Sequence, residues 1–394
     1  MLGVNDVENP QTQTRSHRAY FAVFLVVGMA FGLIGPSISL LAEQVGTTIA
    51  SVGIVLVTYG LGYIVGTQVF ARGYDKGFGN RLIGTSLLIS ATCLACVPFI
   101  SARMILALMF FLFGASVSTS DVGCNTLIVW ELKERVGPRL ALMHTMFGVG
   151  AILSPLIVRG SDAIRGDSAL AFWFAGAAIA TIAIIVLNHQ QPTDPHLETR
   201  SDQSDISNKQ IALVVMFFLA YVALEVVFVT WIYTYGTKIG LSKTEAAILT
   251  STYWIGFMLG RFATVFLARK SHGILAIQLG AILNVGVCLA LYFRFDSILL
   301  PCAFIYGVAA APQFPLMFGF IGNRTSLSGK MTARIVGTAG LSSTTLPWLA
   351  GQLLERVGVW TFPVFLATTA LVVLLGTKLI TNSFGISEHI SKTN

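Results

Sequence analysis

The sequence predicts an all-α membrane protein of twelve transmembrane helices arranged as two six-helix pseudo-repeats. Three observations predict it. The 394 residues are 55% hydrophobic and only 11% charged, with a mean hydropathy of +0.76, a composition outside the range of soluble domains. Apolar runs of roughly 20 residues, the length a helix needs to cross a hydrocarbon core about 30 Å thick, recur along the whole chain. A motif in the first half also returns in the second. A membrane barrel is excluded, because its strands would alternate over about ten residues and these runs do not.

Residues 1–18 are polar and are expected to form an N-terminal tail. The first apolar run, 19–42, is too long and too unlike a cleavage region to be a signal peptide. It is followed by runs at 50–71, 82–101, 104–130, 139–160 and 168–187, which complete a first six-helix half over 19–187. Residues 188–209, NHQQPTDPHLETRSDQSDISNK, are rich in Pro, Asp, Ser and Gln, lack apolar periodicity and read as a linker. Runs at 210–235, 244–267, 274–293, 297–321, 333–352 and 358–380 make the second half, 210–380, and 381–394 form a C-terminal tail. All five cysteines fall inside spans, so no disulfide framework is implied, and the pair Cys93 and Cys96 reads as packing or lipid-facing chemistry.

The net charge of +7 follows from topology. When the loops are assigned to alternate sides, seventeen lysines and arginines fall on the side of the termini and seven on the other. By the positive-inside rule both termini and the linker are expected in the cytoplasm, and the basic balance does not point to nucleic acid. The Asn-Arg-Thr at 323–325 would then lie where it is not glycosylated. No Gly-x-x-x-x-Gly-Lys-Ser/Thr is present, so coupling to ATP is not expected.

The repeat is carried by YGLGYIVG at 59–66 and YWIGFMLG at 253–260, both Tyr-x-x-Gly-aromatic-x-x-Gly, at an offset of 194 residues (Tyr59 to Tyr253). SPLI at 154–157 and LPWL at 346–349 match more loosely. Glycines four apart are common in packed membrane helices, but together with the linker and the even helix count they favour a duplication. Two parallel six-helix halves are an architecture of secondary transporters, with the site between the halves.

The loop GTQVFARGYDKGFGNR, residues 66–81, resembles the signature loop of the major facilitator superfamily. Asp75, Gly79 and Arg81 carry the pattern, with Ala71 in place of the first glycine and one extra residue between Asp75 and Gly79. The resemblance implies a conformational latch between the halves; a solvated charged turn is the alternative.

Four ionisable residues stand within the spans, where a mid-membrane charge costs about 2.5–3.5 kcal/mol on insertion scales and so needs a partner or a task. Asp121 shares a polar stripe with Ser118 and Asn125 on helix 4, which should face a cavity or a neighbouring helix. His144, on helix 5, is either close enough to Asp121 to share a proton or a hydrogen-bonded packing residue. Glu225 lies near the middle of helix 7 with Tyr221 one turn before it, placed to carry a proton, to ligate sodium, or to be neutralised by Arg261. Arg261, on helix 8 and equivalent to Thr67, either snorkels to the interface or pairs with an acid.

SDVGCNTLIVW at 120–130, LMHTMFGVGAILSPLI at 142–157, YVALEVVFVTWIYTYG at 221–236, APQFPLMFGFI at 311–321 and the segment 326–358 resemble, in order and spacing, the sodium-dependent glucose transporter-like branch of the superfamily, related to fucose-proton symporters. The resemblance implies functional roles for Asp121, Asn125, His144 and Glu225, a Gly-Lys turn at Gly329 and Lys330, and a kinked segment at Pro347 and Trp348. Ala223 and Val229 stand where the resemblance implies small, glycine-like residues around Glu225, which bears on the shape of the cavity.

A hexose is read by amides and carboxylates on its hydroxyls and by aromatic rings on its apolar face. Asn125, Tyr221, Trp254, Gln313 and Trp348 are the candidate sugar contacts, and Asp121, His144 and Glu225 the candidate cation-coupling groups. The expected protein is a secondary active sugar transporter, a monomer in the bacterial inner (plasma) membrane, with no cofactor beyond a coupling proton or sodium ion and no catalytic or metal centre. A proton-coupled efflux antiporter using the same acids, and a receptor or scaffold that binds without turnover, are the alternatives.

Overall fold

In a computed structural model of the chain, the structure describes residues 10–69, 78–132, 136–189, 207–269, 273–293, 298–322 and 329–384. The described residues are helical, with no β-strand among them. The first half comprises α1 (Pro10–Gln44), α2 (Ile54–Val69, after a short turn Ile49–Val52), α3 (Gly79–Cys96), α4 (Arg103–Leu132), α5 (Val136–Arg165) and α6 (Ala169–Leu187). The second comprises α7 (Asn208–Lys238), α8 (Lys243–Arg269), α9 (Gly273–Tyr292), α10 (Leu299–Ala310, resuming as Gln313–Gly322), α11 (Gly329–Arg356) and α12 (Thr361–Ser383). The interruption of α10 has a local cause: Pro312 and Pro315 supply no amide N–H to the turn before them. Helix α7 opens on a capping box in which Ser207 and Gln210 bond each other's backbone, and Gln210 Nε2 also donates to Ser383 O at 2.9 Å, tying α7 to the end of α12. Helix α11 begins at Gly329 and Lys330 and runs through Pro347.

Ten of these helices are long and apolar enough to cross a membrane by length and composition. Helices α8 and α11 are not among the ten, and both lie between the halves, α8 against α5 and α11 against α2. A helix flanked by protein can carry Ser342, Thr344 or Arg261, whereas one flanked by lipid cannot satisfy them. The outer surface shows the converse. Leu275, Leu279, Ile282, Leu283 and Leu289 on α9 and Leu371, Leu375 and Leu379 on α12 are exposed at helical spacing.

The internal repeat is visible as geometry. On α2 and α4, a Cβ placed on Gly62 would overlap Phe111 O and one on Gly114 would overlap Tyr59 O. On α8 and α10, the same holds for Gly256 with Phe304 O and Gly307 with Tyr253 O. Each pair of helices therefore crosses at backbone contact through reciprocal glycines. The turns repeat as well. Gly46 and Gly240 follow α1 and α7 with φ of 63° and 108°, and Gly166 and Gly358 follow α5 and α11 with φ of 77° and 138°. All four sit at the face opposite the chain ends.

Among the described residues, the halves meet between the middle of the bundle and that opposite face. Arg159 Nε donates to Thr244 Oγ1 at 2.9 Å, Lys243 Nζ reaches Asp162 Oδ1 at 3.0 Å, Ser251 Oγ donates to Ile152 O at 2.8 Å and Gln352 Nε2 to Ala50 O at 2.6 Å. Gly35 of α1 lies against Thr230 O of α7, where a Cβ would come within 2.8 Å. Towards the chain ends the closure reaches Gly148, where a Cβ would come within 2.7 Å of Met258, and Gly340, where one would come within 3.0 Å of Ile64. The residues of interest begin at this edge.

Candidate functional site

In the first half, three helices converge on one carboxylate. Tyr63 of α2 donates its hydroxyl to Asp121 Oδ2 of α4. One helical turn along α4, Asn125 Nδ2 donates to Asp121 Oδ1 at 2.9 Å and to Asp121 O at 2.9 Å. Asn125 Oδ1 lies 3.2 Å from His144 Nε2 of α5. A carboxylate oxygen only accepts, so the Asn125 nitrogen must face Asp121 and its oxygen must face His144, which places a proton on His144 Nε2 and leaves Nδ1 free of this chain of bonds. His144 is exposed, with its ring edge-on to Phe24 of α1 at 5.0 Å. Ser118, the third member of the stripe, is buried and donates to Ala115 O instead.

In the second half, Glu225 of α7 accepts from Tyr221 Oη at 2.7 Å, and Arg261 Nη2 of α8 lies 3.9 Å from the same Oε2. The Arg261 guanidinium also sits 4.9 Å from the centre of the Phe257 ring. Of the two readings of Arg261, the structure shows the pairing with an embedded acid. Phe257 is the repeat equivalent of Tyr63, so the halves hold their acids differently: the first by a tyrosine hydroxyl at that position, the second by the arginine one turn further on.

The two clusters flank one inter-half contact. His144 lies one turn from Gly148, Arg261 lies one turn from Met258, and Gly148 packs on Met258. Trp254 of α8 crosses to Phe147 of α5, with centroids 6.2 Å apart. Trp254 is 2% exposed, and its Nε1 finds no hydrogen-bond partner among the described residues. Gln313, at the resumption of α10, is fully buried; its Nε2 donates to Ala309 O at 2.9 Å while its Oε1 has no partner among the described residues. Tyr221 is buried, with its hydroxyl committed to Glu225.

Trp348 stands apart from these groups. It is 38% exposed and lies on the opposite-face side of α11, where a Cβ on Gly53 would be 3.6 Å from its Cδ1. Of the loop between α2 and α3, Asp75 lies outside the described residues. Gly79 opens α3 against Leu127, and Arg81 is exposed on the first turn, its carbonyl accepting from Thr85. Sequence reasoning missed Tyr63. Its signal was the second aromatic of the repeated motif, one turn from a glycine that brings α4 to contact.

The sequence profile of the Major Facilitator Superfamily matches residues 20–333. Sodium-dependent glucose transporter 1A of Mus musculus is 26% identical over 375 residues, covering 84% of this chain and 88% of that protein. Sodium-dependent glucose transporter 1 of Homo sapiens is likewise 26% identical over 375 residues, covering 84% of this chain and 72% of the other. Among solved structures, a point mutant of the nucleoside transporter NupG superposes with a TM-score of 0.74 at 14% identity, over 94% of this chain and 99% of that one. At that identity the likeness establishes the fold.

Proposed function

The chain belongs to the major facilitator superfamily, and from that premise we propose that it is a secondary active transporter that carries a hexose-like sugar by alternating access, driven by a proton or sodium gradient. One observation carries the reading. Two ionisable clusters, one from each half, sit at the edge where the inter-half contacts among the described residues end, so rocking of the halves would change the exposure of both. A coupling ion drives transport only if it binds the two states unequally, and groups at such an edge meet that condition. The names of the glucose-transporter relatives support the sugar and the cation.

In this reading Asp121, His144 and Glu225 are the coupling groups. Tyr63 and Asn125 hold Asp121 as an acceptor, and Tyr221 and Arg261 hold Glu225. Binding a cation at Glu225 competes with Arg261, whose 3.9 Å separation is too long for a hydrogen bond and leaves the pair ready to part. Asn125 and Trp254 supply polar groups for sugar hydroxyls, the buried Trp254 Nε1 having no protein partner among the described residues, whereas Gln313 is fully buried against α9, where a Cβ on Gly280 would be 3.1 Å from its Nε2, and falls outside this contact set. Trp348 would meet substrate only on the opposite-face side. With the termini cytoplasmic, as the charge bias predicts, we read the arrangement of the described residues as inward-facing in a multi-pass plasma-membrane protein, with the loop of Asp75, Gly79 and Arg81 acting as a latch in the alternate state.

The test is uptake of labelled glucose into proteoliposomes under separately imposed sodium and proton gradients, for wild type, Glu225→Gln and Asp121→Asn. Accumulation under one gradient, lost by at least tenfold in both variants, is the expected result and identifies the ion. Accumulation that survives in both variants removes the coupling role, and none in wild type under either gradient removes sugar symport and favours efflux.

A further inference from the structure

We propose that Phe314 and Phe318 of α10 form the wall on which the apolar face of a ring-shaped, hydroxylated substrate stacks, opposite the hydrogen-bonding wall of Asp121 and Asn125; this rests on the transport reading above. The repeat register leads to it. The contact of Gly114 with Tyr59 O recurs as that of Gly307 with Tyr253 O, an offset of 193 residues from α4 to α10 beside 194 from α2 to α8. Two further contacts keep both offsets. Gly62 meets Phe111 O where Gly256 meets Phe304 O, and Gly66 meets Ala115 O where Gly260 meets Val308 O.

The register carries across the α10 interruption: Ser86 of α3 meets Ser120 of α4 at 2.8 Å, and in the second half Gly280 of α9 lies against Gln313, 193 residues after Ser120. Asp121 therefore maps onto Phe314 and Asn125 onto Phe318. In two parallel halves related by an axis along the membrane normal, equivalent positions on equivalent helices face each other across the centre. Where the first half presents a carboxylate and an amide, the second presents two rings.

The rings are built as a surface. Phe314 and Phe318 are parallel within 6°, with centroids 6.1 Å apart, and Phe314 is backed by Phe218 at 4.8 Å and Tyr221 at 5.6 Å. Through Tyr221 the wall connects to Glu225. Gln313 and Met317, beside them on α10, are fully buried, whereas Phe314 and Phe318 keep partial exposure. A side chain fixed from behind and open in front is suited to a ligand that is flat and apolar on one side. A pyranose has such a side, with its hydroxyls directed outward to the polar wall. An acyclic polyol with a similar set of hydroxyls has none. The wall thus selects rings over open chains, a discrimination that the polar wall cannot make.

The test uses the purified full chain and compares binding of D-glucose with that of D-glucitol by calorimetry, for wild type, Phe314→Leu, Phe318→Leu and Phe314→Tyr. Leucine keeps apolar bulk behind the site, so folding is maintained while the flat face is lost. Wild type should prefer glucose over glucitol by about tenfold or more, each leucine variant should weaken glucose binding by roughly fivefold to tenfold and erase the preference, and tyrosine should restore both. Leucine variants that bind glucose as wild type does, with the preference intact, overturn the stacking wall and leave the transport reading standing. Wild type that binds neither compound overturns the sugar reading, and the wall with it.

Discussion

Asn125 has one amide nitrogen and one amide oxygen, and the structure uses both at once, the first on Asp121 and the second on His144. Asn125→Leu keeps the volume and removes both bonds, leaving a carboxylate oxygen and a ring N–H short of a partner. Such a loss costs about 1–3 kcal/mol where the groups are shielded from water. Thermal unfolding of the detergent-solubilised protein, followed by tryptophan fluorescence, should show a fall in midpoint of a few degrees, with uptake abolished. An unchanged midpoint would mean that water already satisfies both groups. Asp121, Glu225 and His144 were legible in the sequence because an ionisable group within an apolar run is conspicuous. Tyr63 and Phe314 were not, because an aromatic side chain is unremarkable in a membrane helix. Their partners come from helices α4 and α7, and no spacing along the chain reports those contacts.

Each crossing of α2 with α4, and of α8 with α10, rests on two glycines meeting two carbonyls. Gly62→Val or Gly256→Val pushes backbone from backbone and should destabilise by roughly 1–3 kcal/mol, to a similar extent in the two halves. Gly286 of α9 has no atom within 4 Å of a Cβ, so Gly286→Val serves as the control and should be close to neutral. The monodisperse fraction on size exclusion, read for all three variants, checks the prediction; a control as damaged as the other two would remove the packing argument. The repeated Tyr-x-x-Gly-aromatic-x-x-Gly announced this contact in the sequence. The matching glycines of α4 and α10 close a short Phe-x-aromatic-Gly, at 111–114 and 304–307, too brief to stand out among apolar runs until the geometry pairs them.

For the molecule as a whole, closure of the face opposite the chain ends depends on few polar links among the described residues. Asp162 is 8% exposed at its side chain and receives Lys243 of the other half at 3.0 Å, with Arg159 of its own helix at 3.7 Å. Lys243 is 54% exposed, so solvent screening holds the pair to about 1 kcal/mol, roughly a fivefold change in the balance of states. Asp162→Asn should therefore raise the rate at which a cysteine at Ser251, buried at the seam, reacts with a membrane-impermeant thiol reagent added at that face, by about fivefold. No change in labelling rate would place the closure on the apolar contacts of α5 with α8 and α2 with α11 instead.

The sequence by itself determined that the chain spans a membrane as twelve helices in two related halves, and which helices carry charge, because burial in lipid forces every apolar run to be long and every buried charge to be rare. The tertiary structure decided which acid is held by a tyrosine and which by an arginine, that α10 breaks without losing register, and that a polar wall in one half corresponds to an aromatic wall in the other. Those outcomes depend on which faces of separate helices turn toward each other. Helix packing settles that, and hydropathy along the chain does not encode it.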